Sequence, residues 1–192
     1  MSLGIIPRSF DYLIKTIEIA REKGWEYELE ASYLEIYCEE LRDLCEDTGN
    51  KKLEVLSTSN AKHINVTHLS SHEVKSQSQI AHLIKKAKKR RATASTQCNE
   101  RSSRSHSVFI LNITGHNTRT DQKIESCLNL IDLAGSERVK ESGATGQRFE
   151  EAKKINSSLS SLGDVIAALG SKSKHIPYRN SKVSDNYFMN SF

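Results

Sequence analysis

Residues 127–137 read CLNLIDLAGSE, and this stretch is the starting point for predicting the fold. Its first half carries Leu128, Leu130 and Ile131, which suit a strand of a buried sheet, and its second half is a glycine-bearing loop. In an α/β sheet, ligands bind at the edge where such strands end. Asp132 could hold Mg²⁺ there through water, and Gly135 would let a backbone N–H approach a phosphate oxygen. By itself the D-x-x-G spacing more often marks a strand-ending turn, so other segments must decide.

The sequence around this stretch predicts interleaved strands and helices. Residues 107–114 and 124–133 form a hairpin around a turn at 117–122, with the second strand running into the centre of the sheet. Residues 26–37 form a long strand with a bulge where the apolar phase changes, residues 39–44 continue it or turn, and short strands follow at 53–56 and 64–69. One helix is predicted to follow Pro7 and to end at Gly24, and a second follows Ser71. A third helix spans 155–169. The predicted class is α/β, with a central mixed sheet flanked by helices.

A second polar segment, NERSSRSH at 99–106, lies directly before a predicted strand. Serine hydroxyls suit Mg²⁺ and phosphate oxygens, and arginine guanidinium groups suit carboxylates and phosphates. Taken alone, this segment is more simply read as a polar loop in which serines cap turns. Its value comes from its combination with the D-x-x-G segment.

Composition excludes several classes of protein. The 192 residues are 36% hydrophobic and 27% charged, which suits one globular domain, and no apolar run is long enough to span a membrane. The four cysteines are too scattered for paired metal ligands or a disulfide scaffold, so we expect a reducing, intracellular setting. The net charge of +4 suits an acidic partner without requiring one.

Four segments in this order resemble the kinesin motor domain. They are residues 99–106 and 132–137 together with NSSLSSLG at 156–163 and HIPYRNSK at 175–182. GIIPR at 4–8 and LEIY at 34–37 are also similar to kinesins, and GWEYE at 24–28 is most like the C-terminal-motor, minus-end-directed subfamily. The resemblance covers residues 4–182 as a partial motor domain and leaves 183–192 as a divergent C-terminal tail. It implies an incomplete kinesin-type P-loop NTPase fold.

The resemblance also implies roles for individual residues. Residues 102–106 look like switch I and residues 132–137 like switch II, so that Arg104 would pair with Glu137 when both loops close on the terminal phosphate. Asn156 would assist at the start of a relay helix spanning 156–169. The implied catalytic residues are Ser103, Arg104, Gly135, Glu137 and Asn156; those binding nucleotide are Asn99, Ser102, Ser103, Asp132 and Gly135; those holding Mg²⁺, partly through water, are Ser103 and Asp132.

The implied partners are ATP with Mg²⁺ and the acidic surface of tubulin. Basic residues beside the relay helix would bind the microtubule: Arg138, Lys140, Lys153, Lys174, Arg179 and Lys182. The resemblance places the protein in the cytoplasm on microtubules, with the spindle as one such location. It implies no nucleic-acid or membrane partner, and a parent protein that dimerises through a coiled coil outside this chain.

One expected motif is missing from the sequence. No G-x-x-x-x-G-K-[ST] run occurs, although kinesins carry this phosphate-binding loop just before the point where the present sequence begins. We therefore expect an internal fragment or an altered gene product that does not hydrolyse ATP alone. The alternative is a nucleotide-independent microtubule-binding module that is related to the motors and has lost catalysis.

Two other features favour ordinary surface roles. The run KKAKKRR at 85–91 could bind nucleic acid, but six positive charges near the end of a helix are more simply a solvated face that complements the helix dipole. The hypothesis of a nucleic-acid-binding protein also rests on charge alone, because no aromatic residues are interleaved with the basic ones. His68 and His72 stand four residues apart, yet no H-E-x-x-H pattern surrounds them, so we expect surface histidines.

Overall fold

The computed structural model describes residues 4–56, 65–93, 101–136 and 146–188. The elements within these ranges are, in chain order, α1 (Ile5–Arg21), β1 (Trp25–Tyr37), β2 (Glu40–Asp43), β3 (Val55–Leu56), β4 (Asn65–Val66), β5 (His72–Glu73), α2 (Gln77–Thr93), β6 (His106–Asn117), β7 (Lys123–Asp132), α3 (Gln147–Gly170) and α4 (Lys182–Phe188). Two short 3₁₀ turns lie at Arg101–Arg104 and Tyr178–Asn180. The α/β class is confirmed. Within the described ranges, no helix is long and apolar enough to cross a membrane.

The main sheet has the strand order β2-β1-β6-β7, with β5 added to β1. Every strand pair within the described ranges is antiparallel. The predicted β6–β7 hairpin is confirmed, but the prediction that its second strand runs into the centre of the sheet is wrong for the described part of the chain. There β7 is the last strand of the sheet, and its residues are exposed or half-buried because no described strand covers its outer edge.

The change of phase along β1 reflects two covered faces rather than a bulge. Its pairing with β6 is continuous from Trp25 opposite Asn117 to Ile36 opposite His106, so the predicted bulge is wrong. One face of β1 joins a core cluster with residues of α1 and α2, and the other joins a second cluster with residues of α3 and α4. Burial alternates near the start of β1, where one face is covered, and becomes continuous where both are.

The helix α1 follows the prediction from Pro7 and Gly24. It buries Phe10 and Ile17 against the sheet and ends three residues before Gly24. At Gly24 the φ angle is +87°, and a Cβ would lie 2.8 Å from Arg119 Cγ in the β6–β7 turn. Backbone conformation therefore favours glycine at Gly24, and a larger residue would also displace the flexible Arg119 side chain.

The helix α3 is longer than the sequence predicts. It begins at Gln147, eight residues before the predicted helix at 155–169 and nine before the implied relay helix at 156–169, so that Asn156 lies inside the helix instead of at its first turn. Residues 147–154 read QRFEEAKK, which contains good helix formers but no apolar stripe. Periodicity detected only the half of α3 that packs on the core.

The ambiguous segment after β1 forms a two-residue hairpin turn into β2. Cys38 and Glu39 both have positive φ, 52° and 68°, as a type I′ turn requires. The Glu39 carboxylate then accepts hydrogen bonds from the Lys182 backbone N–H at 2.6 Å and the Ser181 hydroxyl at 2.9 Å. The turn thereby caps α4, which extends into the segment predicted as a divergent tail.

Candidate functional site

The two polar segments that the sequence singles out meet at one edge of the sheet. The strand β6 begins there and the antiparallel strand β7 ends there, so the 101–104 turn and the loop 133–136 are neighbours. Their backbones are joined directly, since the Gly135 N–H donates a hydrogen bond to the Ser103 carbonyl at 3.1 Å. The N–H predicted to approach a phosphate is therefore already hydrogen-bonded in this structure.

His106 ties both segments to α3. The side chain is 3% exposed, and its Nδ1 accepts a hydrogen bond from the Ala134 N–H at 3.1 Å. Because Nδ1 accepts, the neutral ring carries its proton on Nε2, which lies 3.1 Å from the Ser158 hydroxyl. Ser158 in turn donates to the Ile155 carbonyl at 2.7 Å. One buried imidazole thus links β6, the loop after β7 and the middle of α3.

The imidazole of His106 is held in its neutral form. Burial is the main cause and lowers its pKa to about 4, while the nearby Asp132 carboxylate opposes this by raising the pKa. Desolvation disfavours the charged form of a histidine. The hydrogen-bond pattern of a neutral ring therefore persists throughout the physiological pH range.

Arg104 contacts α3 through Glu151. Arg104 Nη1 lies 3.3 Å from Glu151 Oε2, and the other carboxylate oxygen accepts a hydrogen bond from the Tyr37 hydroxyl at 2.9 Å. The predicted partner of Arg104, Glu137, lies outside the described residues, so that pair stays a prediction. Tyr37 ends the segment LEIY that resembles kinesins, but no pattern in the sequence predicts that it or Arg104 would contact Glu151.

The basic run at 85–91 is only in part a solvated face. Lys85, Lys88 and Lys89 are exposed. Arg91 is 14% exposed, with its Nε 3.6 Å from Glu35 Oε1 and its Nη1 4.0 Å from Asp132 Oδ2. For Arg91 the prediction is wrong, because the fully buried Glu35 carboxylate supplies an opposite charge inside the fold.

Two other members of the run contact one exposed acidic residue, Glu46. Lys86 Nζ lies 2.6 Å from a carboxylate oxygen of Glu46, and Arg90 donates to the Glu46 carbonyl at 2.8 Å. His72 also lies near this carboxylate, at 3.7 Å, whereas His68 is exposed. No group of three or more metal-ligating side chains occurs in the part of the chain that the structure describes.

The remaining residues predicted to bind nucleotide or to act in catalysis differ in where they lie. Ser103 and Asp132 are exposed, and they lie in the two segments that meet at the sheet edge. Hydroxyl and carboxylate oxygens are the ligands that Mg²⁺ prefers. Asn156 is half-buried within α3, and Ser102 lies in the 101–104 turn. Asn99 and Glu137 lie outside the described residues. The described donors therefore fit a partial Mg²⁺ site.

The predicted microtubule-binding residues spread over α3 and the segment after it. Lys153, Lys174 and Arg179 are exposed, and Lys182 is half-buried at the start of α4. Arg179 belongs to the 3₁₀ turn that follows Pro177. Arg138 and Lys140 lie outside the described residues.

These features define an α/β domain in which the loops at one sheet edge are bonded to a long helix. The family description "Kinesin motor domain" matches residues 1–186, and the chain belongs to that family. Its relatives include the kinesin-like protein klpA of Emericella nidulans, 46% identical over 94% of this chain and 24% of klpA, and carboxy-terminal kinesin 2 of Xenopus laevis, 46% identical over 95% of this chain and 29% of that protein. The match to a carboxy-terminal kinesin agrees with the resemblance to the C-terminal-motor subfamily.

Solved structures confirm the kinesin fold. The motor domain of the Saccharomyces cerevisiae kinesin-related protein Kar3 superposes with a TM-score of 0.82 at 41% identity, over 97% of this chain and 56% of that one. A C-terminal motor and motor homology domain of Kar3Vik1 gives 0.86 at 38% identity, over 97% of this chain and 48% of that one. The chain thus spans about a quarter to three tenths of the curated relatives and about half of these motor structures.

Proposed function

We propose that this chain is the part of an ATP-driven microtubule motor that links the nucleotide switches to the filament-binding helix. The observation that carries the proposal is the buried His106, which bonds to the loop after β7 and to α3 at the same time. A nucleotide-dependent movement of that loop would reach α3 through this single side chain. Membership of the kinesin family favours this function over a nucleotide-independent binding module.

On the nucleotide side, Ser103 and Asp132 would hold Mg²⁺, which neutralises phosphate charge when it is bound. The Gly135 N–H would exchange its present acceptor, the Ser103 carbonyl, for a phosphate oxygen. Arg104 and Glu137 would form the closing pair, with Asn156, Asn99 and Ser102 beside them. Residues 4–182 are proposed as the partial motor domain, and the lysine-bearing phosphate loop would come from another part of the whole protein.

On the filament side, α3 and the segment after it would present the basic residues to tubulin. A related motor, KIF14, has been solved with ADP in complex with a microtubule, at 37% identity and a TM-score of 0.81 over 95% of this chain and 55% of that one. The exposed Lys153, Lys174 and Arg179 suit an acidic filament surface, with Lys182, Arg138 and Lys140 proposed beside them. The whole protein is proposed to dimerise through a coiled coil and to act on cytoplasmic microtubules, the spindle included.

Co-sedimentation of the purified chain with microtubules across a salt series tests the filament side. We expect the double variant Lys174→Ala/Arg179→Ala to weaken binding several-fold, because each substitution removes an exposed positive charge. Binding should also fall steeply with rising salt, since such contacts are screened over about 8 Å at physiological ionic strength.

The basic run on α2 supplies a matched control. The variant Lys85→Ala/Lys88→Ala removes two exposed charges as well, and leaves the buried contacts of Arg91 intact. We expect this control to bind like the unmodified chain. Loss of binding in the control alone would place the filament-binding surface on α2 and overturn the assignment to α3.

A further inference from the structure

Glu151 joins three elements that are far apart in the sequence. It lies in the second turn of α3, its Oε1 accepts a hydrogen bond from the Tyr37 hydroxyl of β1, and its Oε2 contacts Arg104 of the 101–104 turn. Its side chain is 10% exposed. The carboxylate therefore lies at the junction of β1, the 101–104 turn and α3.

The two oxygens of the Glu151 carboxylate contact different partners. The Tyr37 hydroxyl binds one oxygen at 2.9 Å, which fixes the rotation of the carboxylate and leaves the second oxygen directed at Arg104. The Arg104 side chain is 28% exposed. Because solvent reaches this ion pair poorly, salt screens it less than it screens a surface pair. Loss of either partner would leave the other charge partly buried and without an opposite charge beside it.

We propose that Glu151 is a positioning residue, which holds the Arg104 guanidinium against α3 so that the positions of the 101–104 turn and of α3 depend on each other. This inference rests on the proposed function, in which the turn meets nucleotide and α3 meets the filament. An anion that draws Arg104 away would release the first turns of α3, and a filament that shifts α3 would free Arg104. The coupling has the same strength in both directions by thermodynamic linkage.

Hydrogen exchange of the full chain, followed by mass spectrometry without nucleotide or microtubules, tests the coupling. We expect Glu151→Gln to raise the exchange rate of the amides at 101–106 about tenfold, which corresponds to about 1.4 kcal/mol of local opening free energy. We expect Arg104→Gln to raise exchange at 147–155, on the other side of the pair. The double variant should exchange no faster than the more affected single variant, because both substitutions break the same contact.

Two further variants separate positioning from general stability. Glu150→Gln removes the same charge from the neighbouring, exposed position on α3, and should leave exchange unchanged. Tyr37→Phe keeps the ion pair and removes one hydrogen bond, and should produce a smaller increase at 101–106. The charge swap Arg104→Glu/Glu151→Arg should restore slow exchange in both segments.

Additive effects of the two single variants would overturn the inference, as would an Arg104→Gln variant with unchanged exchange at 147–155. An equal response to Glu150→Gln would overturn it too, since the effect would then be one of net charge on α3. Because these measurements omit the microtubule, a chain that fails to sediment refutes the proposed function without altering their outcome.

Discussion

The burial of His106 makes the stability of this fold depend on pH between the folded and unfolded pKa values of this side chain. Burial lowers its pKa to about 4 in the folded chain, against about 6.5 for an unperturbed histidine. Between these values the unfolded chain binds a proton that the folded chain does not, so the free energy of unfolding falls as the pH falls. The slope is about 1.4 kcal/mol per pH unit, and the full loss by pH 4 is roughly 3 kcal/mol.

Urea denaturation at pH 7.5, 6.0 and 5.0 measures this loss, and a His106→Gln variant isolates it. The variant lacks the titrating ring and should be less stable than the unmodified chain at pH 7.5, because it disturbs the bonds to Ala134 and Ser158. Its deficit should shrink by about 2 kcal/mol between pH 7.5 and pH 5.0. His82→Gln, at an exposed position on α2, serves as the control and should keep the pH dependence of the unmodified chain.

A loss of stability in the upper part of this pH range, above the usual pKa values of carboxylates, points to a histidine. Asp121 and Glu46 have pKa values below their usual ranges, because each is bonded to a partner, His116 and Lys86 respectively, so their contributions are lost only at lower pH. Parallel stability curves for the unmodified chain and the His106→Gln variant between pH 7.5 and 5.0 would refute the reasoning. They would mean that the ring of His106 is accessible to protons in the folded state.

Two further outcomes follow from contacts elsewhere in the fold. Glu39→Gln should destabilise the start of α4 by about 1 kcal/mol, since it weakens the charged cap on the Lys182 N–H, and faster amide exchange at 182–185 with unchanged exchange in β6 would show it. Cys45 should resist iodoacetamide until the chain is unfolded in urea, because burial raises its thiol pKa to about 12 and the side chain is inaccessible; modification of Cys45 at the same rate in native and denatured chain would contradict this.

The sequence predicts those parts of the fold that depend on local pattern. The helix after Pro7, the β6–β7 hairpin and the core half of α3 were visible because their apolar residues repeat with the period of the element. The long start of α3 was not, because residues 147–154 contain good helix formers but no apolar stripe. The phase change in β1 predicts a bulge, and this prediction is wrong because the sequence of a single strand does not reveal that different helices cover its two faces.

The sequence predicts which segments form the candidate site but not the contacts between them. The spacing of residues 99–106 and 132–137 indicated that they matter, and the fold brings the described parts of both to one sheet edge. The bonds that connect them were not predictable, because His106, Arg104 and Arg91 each contact partners distant in the sequence. A buried polar side chain must find such partners, but nothing in its neighbouring residues says where they are.

Two contacts at this sheet edge hold α3 to the neighbouring segments. His106 holds the middle of α3 through Ser158, and Arg104 holds its beginning through Glu151. These two contacts lie seven residues apart on α3, which is about two turns, so both fall on the same face of the helix. A shift of α3 along its axis would strain both contacts together, whereas a rotation that exposed this face would break both. These two contacts therefore oppose independent movement of α3 and of the loops at the edge of the sheet.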